Sequence, residues 1–143
     1  MLLPNETYIL VKRFTAKEER RRVVAALASP EDLPGEAVAF ENHLNVYHSR
    51  NRGLPRGTAL GLLAFLNCTL VDAYVRQFSG HTQINAGDLR HLRYPHLDEL
   101  RAMGEEIEAS ELPTSQEDFD RLVAWHVAAF DDPTLHNAMR AVA

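Results

Sequence analysis

The apolar stripe Leu60, Leu63, Leu66, Leu70, Tyr74 and Phe78 is the feature that most limits the fold of this chain. Its members recur at three- and four-residue steps, the spacing of one face of an α-helix. Leu62, Phe65 and Val71 widen the stripe, so a broad face has to be buried. Thr58 stands where an N-cap belongs. Asn67-Cys68-Thr69 interrupts the run and predicts a bend or break, and Gly80 marks its end. Such a helix needs a second layer to pack on.

The residues ahead of it supply that layer. Thr7 to Phe14 is rich in β-branched and aromatic types and predicts a strand. Thr15 to Glu19 forms a turn, and Arg20 to Ala28 is expected to return as a hairpin strand, although its alanines also suit a helix. Ser29 to Gly35, with Pro30, Asp32, Pro34 and Gly35, is a loop. Ala37 to Ser49 is expected to be one further strand. Val38, Phe40, Leu44 and Val46 share one face, interrupted by Asn42, and Glu41, His43, Asn45 and Tyr47 share the other. Ser49 to Gly57 is a basic loop.

After the helix comes a polar stretch, Gln77 to Arg90, which packs amide, hydroxyl and imidazole groups between glycines. Asp88 to Pro95 is turn-like or extended and is ended by the proline. Leu97, Leu100, Met103 and Ile107 mark an amphipathic helix that Gly104 should weaken. Thr114-Ser115-Gln116-Glu117 has a capping-box pattern ahead of a helix whose face runs from Phe119 to Phe130. Residues 131–143 are expected to be loosely ordered. The predicted fold is α+β: a small antiparallel sheet packed on a long helix, with C-terminal helices. Residues 1–96 would form the core and 97–143 a helical extension.

A chain of 143 residues suffices for one domain. Its single cysteine, Cys68, allows no internal disulfide and no cysteine-built zinc site, which fits a reducing cytoplasm. No apolar run approaches the roughly 18–20 residues of a membrane span, and the N-terminus lacks a signal-type apolar region, so a cytoplasmic protein without a membrane partner is expected. The net charge is −5, and it is divided unevenly. Residues 1–94 hold 12 Lys/Arg against 9 Asp/Glu, net +3, and residues 95–143 hold 3 against 11, net −8. A basic first part is compatible with a polyanion-binding face, and equally with two differently solvated surfaces.

Catalytic and metal patterns are not legible. The seven histidines include no pair at the helical i, i+4 spacing of a shared metal. His126 lies on an apolar helix face and is expected to be packed in the core. Cys68 in a core helix is expected to be an inert thiol. There is no nucleophile elbow, phosphate loop or dinucleotide glycine pattern, and Asp72 and Asp88 are lone carboxylates. The basic cluster Lys12, Arg13, Lys17, Arg20, Arg21 and Arg22 has the chemistry of phosphate neutralisation, or of ion pairing with Glu18 and Glu19. Asn42, His43, Asn45, His81, Gln83 and Asn85 have donors and acceptors that suit base edges, or that brace loop backbone.

Several of these segments occur together in a set order: Leu10-Val11-Lys12-Arg13-Phe14, Glu41-Asn42-His43-Leu44-Asn45, Gly53-Leu54-Pro55, Phe65-Leu66-Asn67-Cys68-Thr69, Asp72-Ala73-Tyr74, Phe78 to Asn85 and Leu92-Arg93-Tyr94-Pro95. The series resembles the C-terminal target-recognition region of N6-adenine DNA methyltransferases from type II restriction–modification systems. The resemblance runs over residues 5–97 and departs from the family at Ser79 and Cys68, where Asn and Ser are more usual. It implies a DNA-reading module, present as a fragment or separately encoded. Its partners would be double-stranded DNA and a catalytic domain that binds S-adenosylmethionine. The catalytic Asn/Asp-Pro-Pro-Tyr/Phe motif and the glycine-containing cofactor motif are absent from these 143 residues, so neither a cofactor nor a catalytic residue is expected in this chain. The resemblance makes the basic cluster the phosphate contacts, and the amide and histidine set the base-reading or loop-ordering residues. A structural or protein-interaction domain without DNA binding, docking through its acidic helices, is the alternative.

Overall fold

The computed structural model describes residues 2–16, 18–78 and 82–127. Strand β2 (Tyr8–Lys12) is central, with β3 (Ala25–Ala28) and β5 (Leu44–Tyr47) antiparallel on either side. A separate two-stranded ribbon pairs β1 (Leu2–Pro4) with β4 (Ala37–Ala39). Five helices follow: α1 (Arg56–Leu66), α2 (Thr69–Phe78), α3 (Ala86–Arg90), α4 (Leu97–Ala109) and α5 (Gln116–His126). The fold is α+β, with the small antiparallel sheet packed on α1.

The register explains which residues go where. Ile9 faces Leu27 and Tyr47, and Val11 faces Ala25 and Asn45, so these positions share one face of the sheet. Ile9, Val11 and Ala25 are buried there against α1. The opposite face carries Tyr8, Leu10, Ala28 and Val46, which pack with Leu3 and Val38 of the ribbon. The sheet is therefore covered on both sides, by helices and by β1–β4.

Two sequence expectations are corrected here. The run from 37 to 49 is two strands in two different sheets, joined by a turn at Asn42 and His43. Arg20 to Ala28 is strand only from Ala25 onward. In both cases the chain has to leave the central sheet, once to reach the ribbon and once to bring Arg21 and Arg22 against α2.

The long helix is broken where expected: α1 and α2 meet at about 60°. Asn67 stabilises the break, because its buried amide takes up main-chain groups of Leu63 in α1 and of Ala25 in β3. Thr58 does not cap α1. Pro55 occupies that position, and the buried Thr58 hydroxyl finds no partner. Thr58 to Leu66 are all buried, so α1 is enclosed on every side rather than along one stripe. Among the described residues no single helix is long and apolar enough to cross a membrane; α1 and α2 pass that test only as a bent pair, with α1 inside the core.

Helix α4 lies along α1 at unusually short range. A Cβ added at Gly104 would stand 1.9 Å from the Gly57 carbonyl oxygen, and one at Gly61 would stand 2.0 Å from that of Leu100. Gly104 therefore permits backbone-to-backbone packing that a side chain would forbid, and its cost in helix propensity is offset by this contact. Leu100, Met103, Ile107, Phe119 and Val123 complete the same core as the sheet and α1. Helix α5 is capped by Ser115, whose hydroxyl accepts from the Asp118 amide at 3.1 Å. The cap is thus one residue later than the Thr114–Glu117 pattern suggests. His126 is largely buried and meets Glu106 at 3.3 Å. Phe130 and the stretch 131–143 lie outside the described residues.

Candidate nucleic-acid interface

The sheet end at the exit of β2 brings together parts of the chain far apart in sequence. Arg13 donates its main-chain N–H to His43 O at 2.9 Å and accepts at its carbonyl from Ile84 N at 2.6 Å. Thr15 N donates to Thr82 O at 2.9 Å, and Phe14 bridges Gln83 in antiparallel fashion. The 82–84 segment thus continues the edge that β5 leaves when it turns away at His43.

Side chains converge at the same place. The Arg13 guanidinium donates to Asn42 O at 3.2 Å. The Phe14 ring is 40% exposed, and it meets the His43 imidazole edge-to-face at a centroid distance of 5.1 Å and 83°. His43 is 70% exposed and lies 3.9 Å from Glu41. Asn85 is exposed, and its main-chain N–H is held by the Asp88 carboxylate at 2.8 Å as α3 starts. Arg13, Asn42, His43, Gln83 and Asn85 are accordingly gathered around the end of β2.

Asn45 is placed differently. It faces the helices, and its side-chain amide donates to Ile84 O at 2.7 Å. It braces the 82–85 segment. Tyr47, on the same face, meets Tyr94 hydroxyl to hydroxyl at 2.5 Å, and Tyr94 also bonds Leu89 O at 2.8 Å. Burial first, and the neighbouring phenol second, raises the Tyr47 hydroxyl far above its ordinary pKa. Of the polar face expected here, Asn45 and Tyr47 turn inward to hold the 82–85 segment and Tyr94, while Glu41 and His43 stay exposed.

The basic cluster does not stay together. Lys12 and Arg20 are exposed, Lys12 within 3.6 Å of Glu19. Arg21 is half-buried and donates through Nη2 to Asn67 Oδ1 at 2.6 Å and Asn67 O at 3.1 Å. Arg22 is 0% exposed; its Nε donates to Thr15 Oγ1 at 3.2 Å, and its main-chain N–H goes to Asp72 Oδ1 at 2.5 Å. Arg21 and Arg22 are therefore corrected from phosphate contacts to internal braces. Burial, ahead of any neighbouring charge, pulls the Arg21 guanidinium below its usual value. Three consecutive arginines give no sign in sequence of which points inward; the buried acceptors Asn67 and Asp72 decide it. Lys17 and His81 lie outside the described residues.

Among the described residues, Cys68 is buried and is not set up as a nucleophile. Burial pushes the Cys68 thiol up to about 12. Among the described residues no group of three His, Cys, Asp or Glu side chains is placed to hold a metal ion.

No family model matches the chain, and no solved structure matches it. Two proteins do. The Type II methyltransferase M.BsuBI of Bacillus subtilis is 50% identical over 103 residues, which is 72% of this chain and 21% of that protein. The Type II methyltransferase M.PstI of Providencia stuartii is 42% identical over 118 residues, 82% of this chain and 23% of that protein. Identity at this level over most of the chain means a shared fold and descent. The chain is a relative of the Type II methyltransferases, and it spans about a fifth of the length of those it matches.

Proposed function

We propose that this chain is the DNA target-recognition part of an adenine-specific Type II methyltransferase acting in the bacterial cytoplasm. Methyl transfer from S-adenosylmethionine would be carried out by a separate catalytic domain, its partner. The observation that carries the reading is the convergence at the end of β2 of Arg13, His43, Gln83 and Asn85 beside the exposed Phe14–His43 pair. Guanidinium, imidazole and amide groups are those that pair with base edges in the major groove. Lys12 and Arg20 would add charge beside them, and Lys17 and His81 are proposed as further DNA contacts from the sequence alone. Asn42 would contribute from its exposed turn, and Asn45 would order the loop rather than read a base.

A randomised duplex pool tests this. The chain should enrich a defined site, and His43→Ala with Gln83→Ala should abolish that enrichment while retaining sequence-independent binding. Enrichment that is unaltered in the double variant would remove the reading role from this end of the sheet. The chain alone should transfer no methyl group, and any turnover would overturn the division of labour.

A further inference from the structure

A second surface adjoins that sheet end. Strand β5 is the edge of its sheet, and a groove of about 280 Å³ runs between it and α3. Tyr47 and His48 form one wall, and Arg90 and Tyr94 the other. None of its lining residues is acidic. Other grooves differ in this respect. The one between α4 and α5 is lined by Glu106, Glu111 and Asp118, and the one beside Arg21 by Glu31 and Asp32. Phosphates are repelled from those two and not from the β5–α3 groove.

Cations free to meet phosphates are also found here. Lys12, Arg52, Arg56, Arg101 and Arg121 each lie within 4.0 Å of a carboxylate. Among the described residues, Arg50 and Arg90 are exposed and have no carboxylate at that range; Arg20 shares this away from the groove, and Arg13, which also has none, is half-buried. Arg50 lies just past the end of β5 in the tight turn Ser49–Arg52, closed by Ser49 N to Arg52 O at 2.8 Å and Arg52 N to Ser49 O at 2.9 Å. Its φ is +51°, and that of Asn51 is +64°. Glycine adopts this left-handed conformation more readily than arginine does, so the turn holds a long cation where glycine would fold more easily. His48 Nδ1 accepts from the Asn51 amide at 3.0 Å, which leaves Nε2 of the neutral ring as a donor. At the other end of the groove, Asn45 ties β5 to Ile84 and hence to the Gln83–Asn85 segment.

We infer that one DNA strand lies along the β5–α3 groove, with Arg90 and Arg50 as its phosphate contacts and His48 beside them. This rests on the DNA-reading proposal and extends it, because the phosphate track runs along β5 rather than over the inward-turned Arg21 and Arg22. Strand β5 from Leu44 to Tyr47 is three residue steps, or about 10 Å of extended chain. That matches about three base steps at roughly 3.4 Å each. Phosphates held at Arg90 and Arg50 would set the register in which the groups around Arg13 and His43 meet base edges.

The test is fluorescence anisotropy of the 143-residue chain with a labelled 30-base-pair duplex of mixed sequence, titrated across about 50–200 mM NaCl. Arg50→Gln/Arg90→Gln should lower the slope of log K against log salt by about 1.8, at about 0.9 per phosphate contact, and weaken binding at least tenfold at the low-salt end. Arg50→Lys/Arg90→Lys should keep the slope, and Arg101→Gln/Arg121→Gln on α4 and α5 should match the parent. If the parent binds and the Gln variant keeps the parent slope, the groove is not the track and the DNA-reading proposal stands. If the parent binds no duplex even at the lowest salt, the DNA-reading proposal fails and this inference fails with it.

Discussion

Arg21 Nη2 lies 2.6 Å from Asn67 Oδ1, and that contact joins the loop before β3 to the break between α1 and α2. The same Asn67 oxygen accepts from Ala25 N at 3.0 Å, and its Nδ2 donates to Ala25 O and Leu63 O, each at 3.0 Å. The amide is 3% exposed and has two donors and one acceptor oxygen in use. Removing it strands several buried main-chain groups. Asn67→Ala should therefore cost about 2–4 kcal/mol, read as a fall in the urea midpoint. Arg21→Ala should also destabilise while leaving the salt slope of duplex binding unchanged. A lower slope would return Arg21 to the phosphate contacts.

Helix α4 offers a contrast in sign. Gly61→Ala and Gly104→Ala place a methyl about 2 Å from a carbonyl oxygen of the facing helix, so α1 and α4 must separate. Each should destabilise by at least about 2 kcal/mol, despite alanine's advantage of about 1 kcal/mol in an isolated helix. Gly87 in α3 has nothing within 4 Å of an added Cβ. Gly87→Ala should leave stability unchanged or raise it by up to about 1 kcal/mol. Thermal midpoints of the three variants check this, and a stabilised Gly104→Ala would mean that the helices are not in backbone contact.

Cys68 is buried, and its thiol is pushed up to about 12, with burial as the main cause. At pH 8 only about one thiol in ten thousand is then ionised. The native chain should react with a thiol reagent orders of magnitude more slowly than the chain in guanidinium. Equal rates in the two states would contradict the buried placement.

Glu6 holds the turn after β5 to the start of β2. Arg52 donates to it through Nε at 3.0 Å and Nη2 at 3.1 Å, and Gly53 N donates at 3.0 Å. The Arg52 hydrogen bonds first, then the Gly53 amide, hold the carboxyl below its ordinary value of 4.5. A depressed folded-state value means that the stabilisation is complete above the unfolded-state pKa and is lost as pH falls through the folded one. Glu6→Gln should thus lower the thermal midpoint at about pH 6, and the gap to the parent should narrow as pH falls below 4.5 through the lowered folded-state value. A gap that persists at low pH would show that the charge on Glu6 is not what matters.

Local pattern determined a good deal of this protein. The three- and four-residue apolar steps marked α1, α2, α4 and α5, and the polar Asn67-Cys68-Thr69 marked the break between the first two. The alternation along β5 correctly separated Leu44 and Val46 from Asn45 and Tyr47. The ordered series of motifs pointed to the methyltransferase relatives. Periodicity reports which residues share a face, and a shared face is a property of neighbours in the chain.

Only the tertiary structure decided what each face meets. It turned Asn45 and Tyr47 onto α3 and the 82–85 segment, drew Arg21 and Arg22 inward to Asn67 and Asp72, and left Arg50 and Arg90 outside. It also made Gly104, a weak helix residue by propensity, the point where α4 meets α1. The physical reason is the same in each case. An arginine goes inside only where a partner receives it, and an amide or a glycine suits either place. The position of each is set by whether a buried acceptor, or an approaching backbone, stands opposite it, and those partners come from 39 or more residues away in the chain.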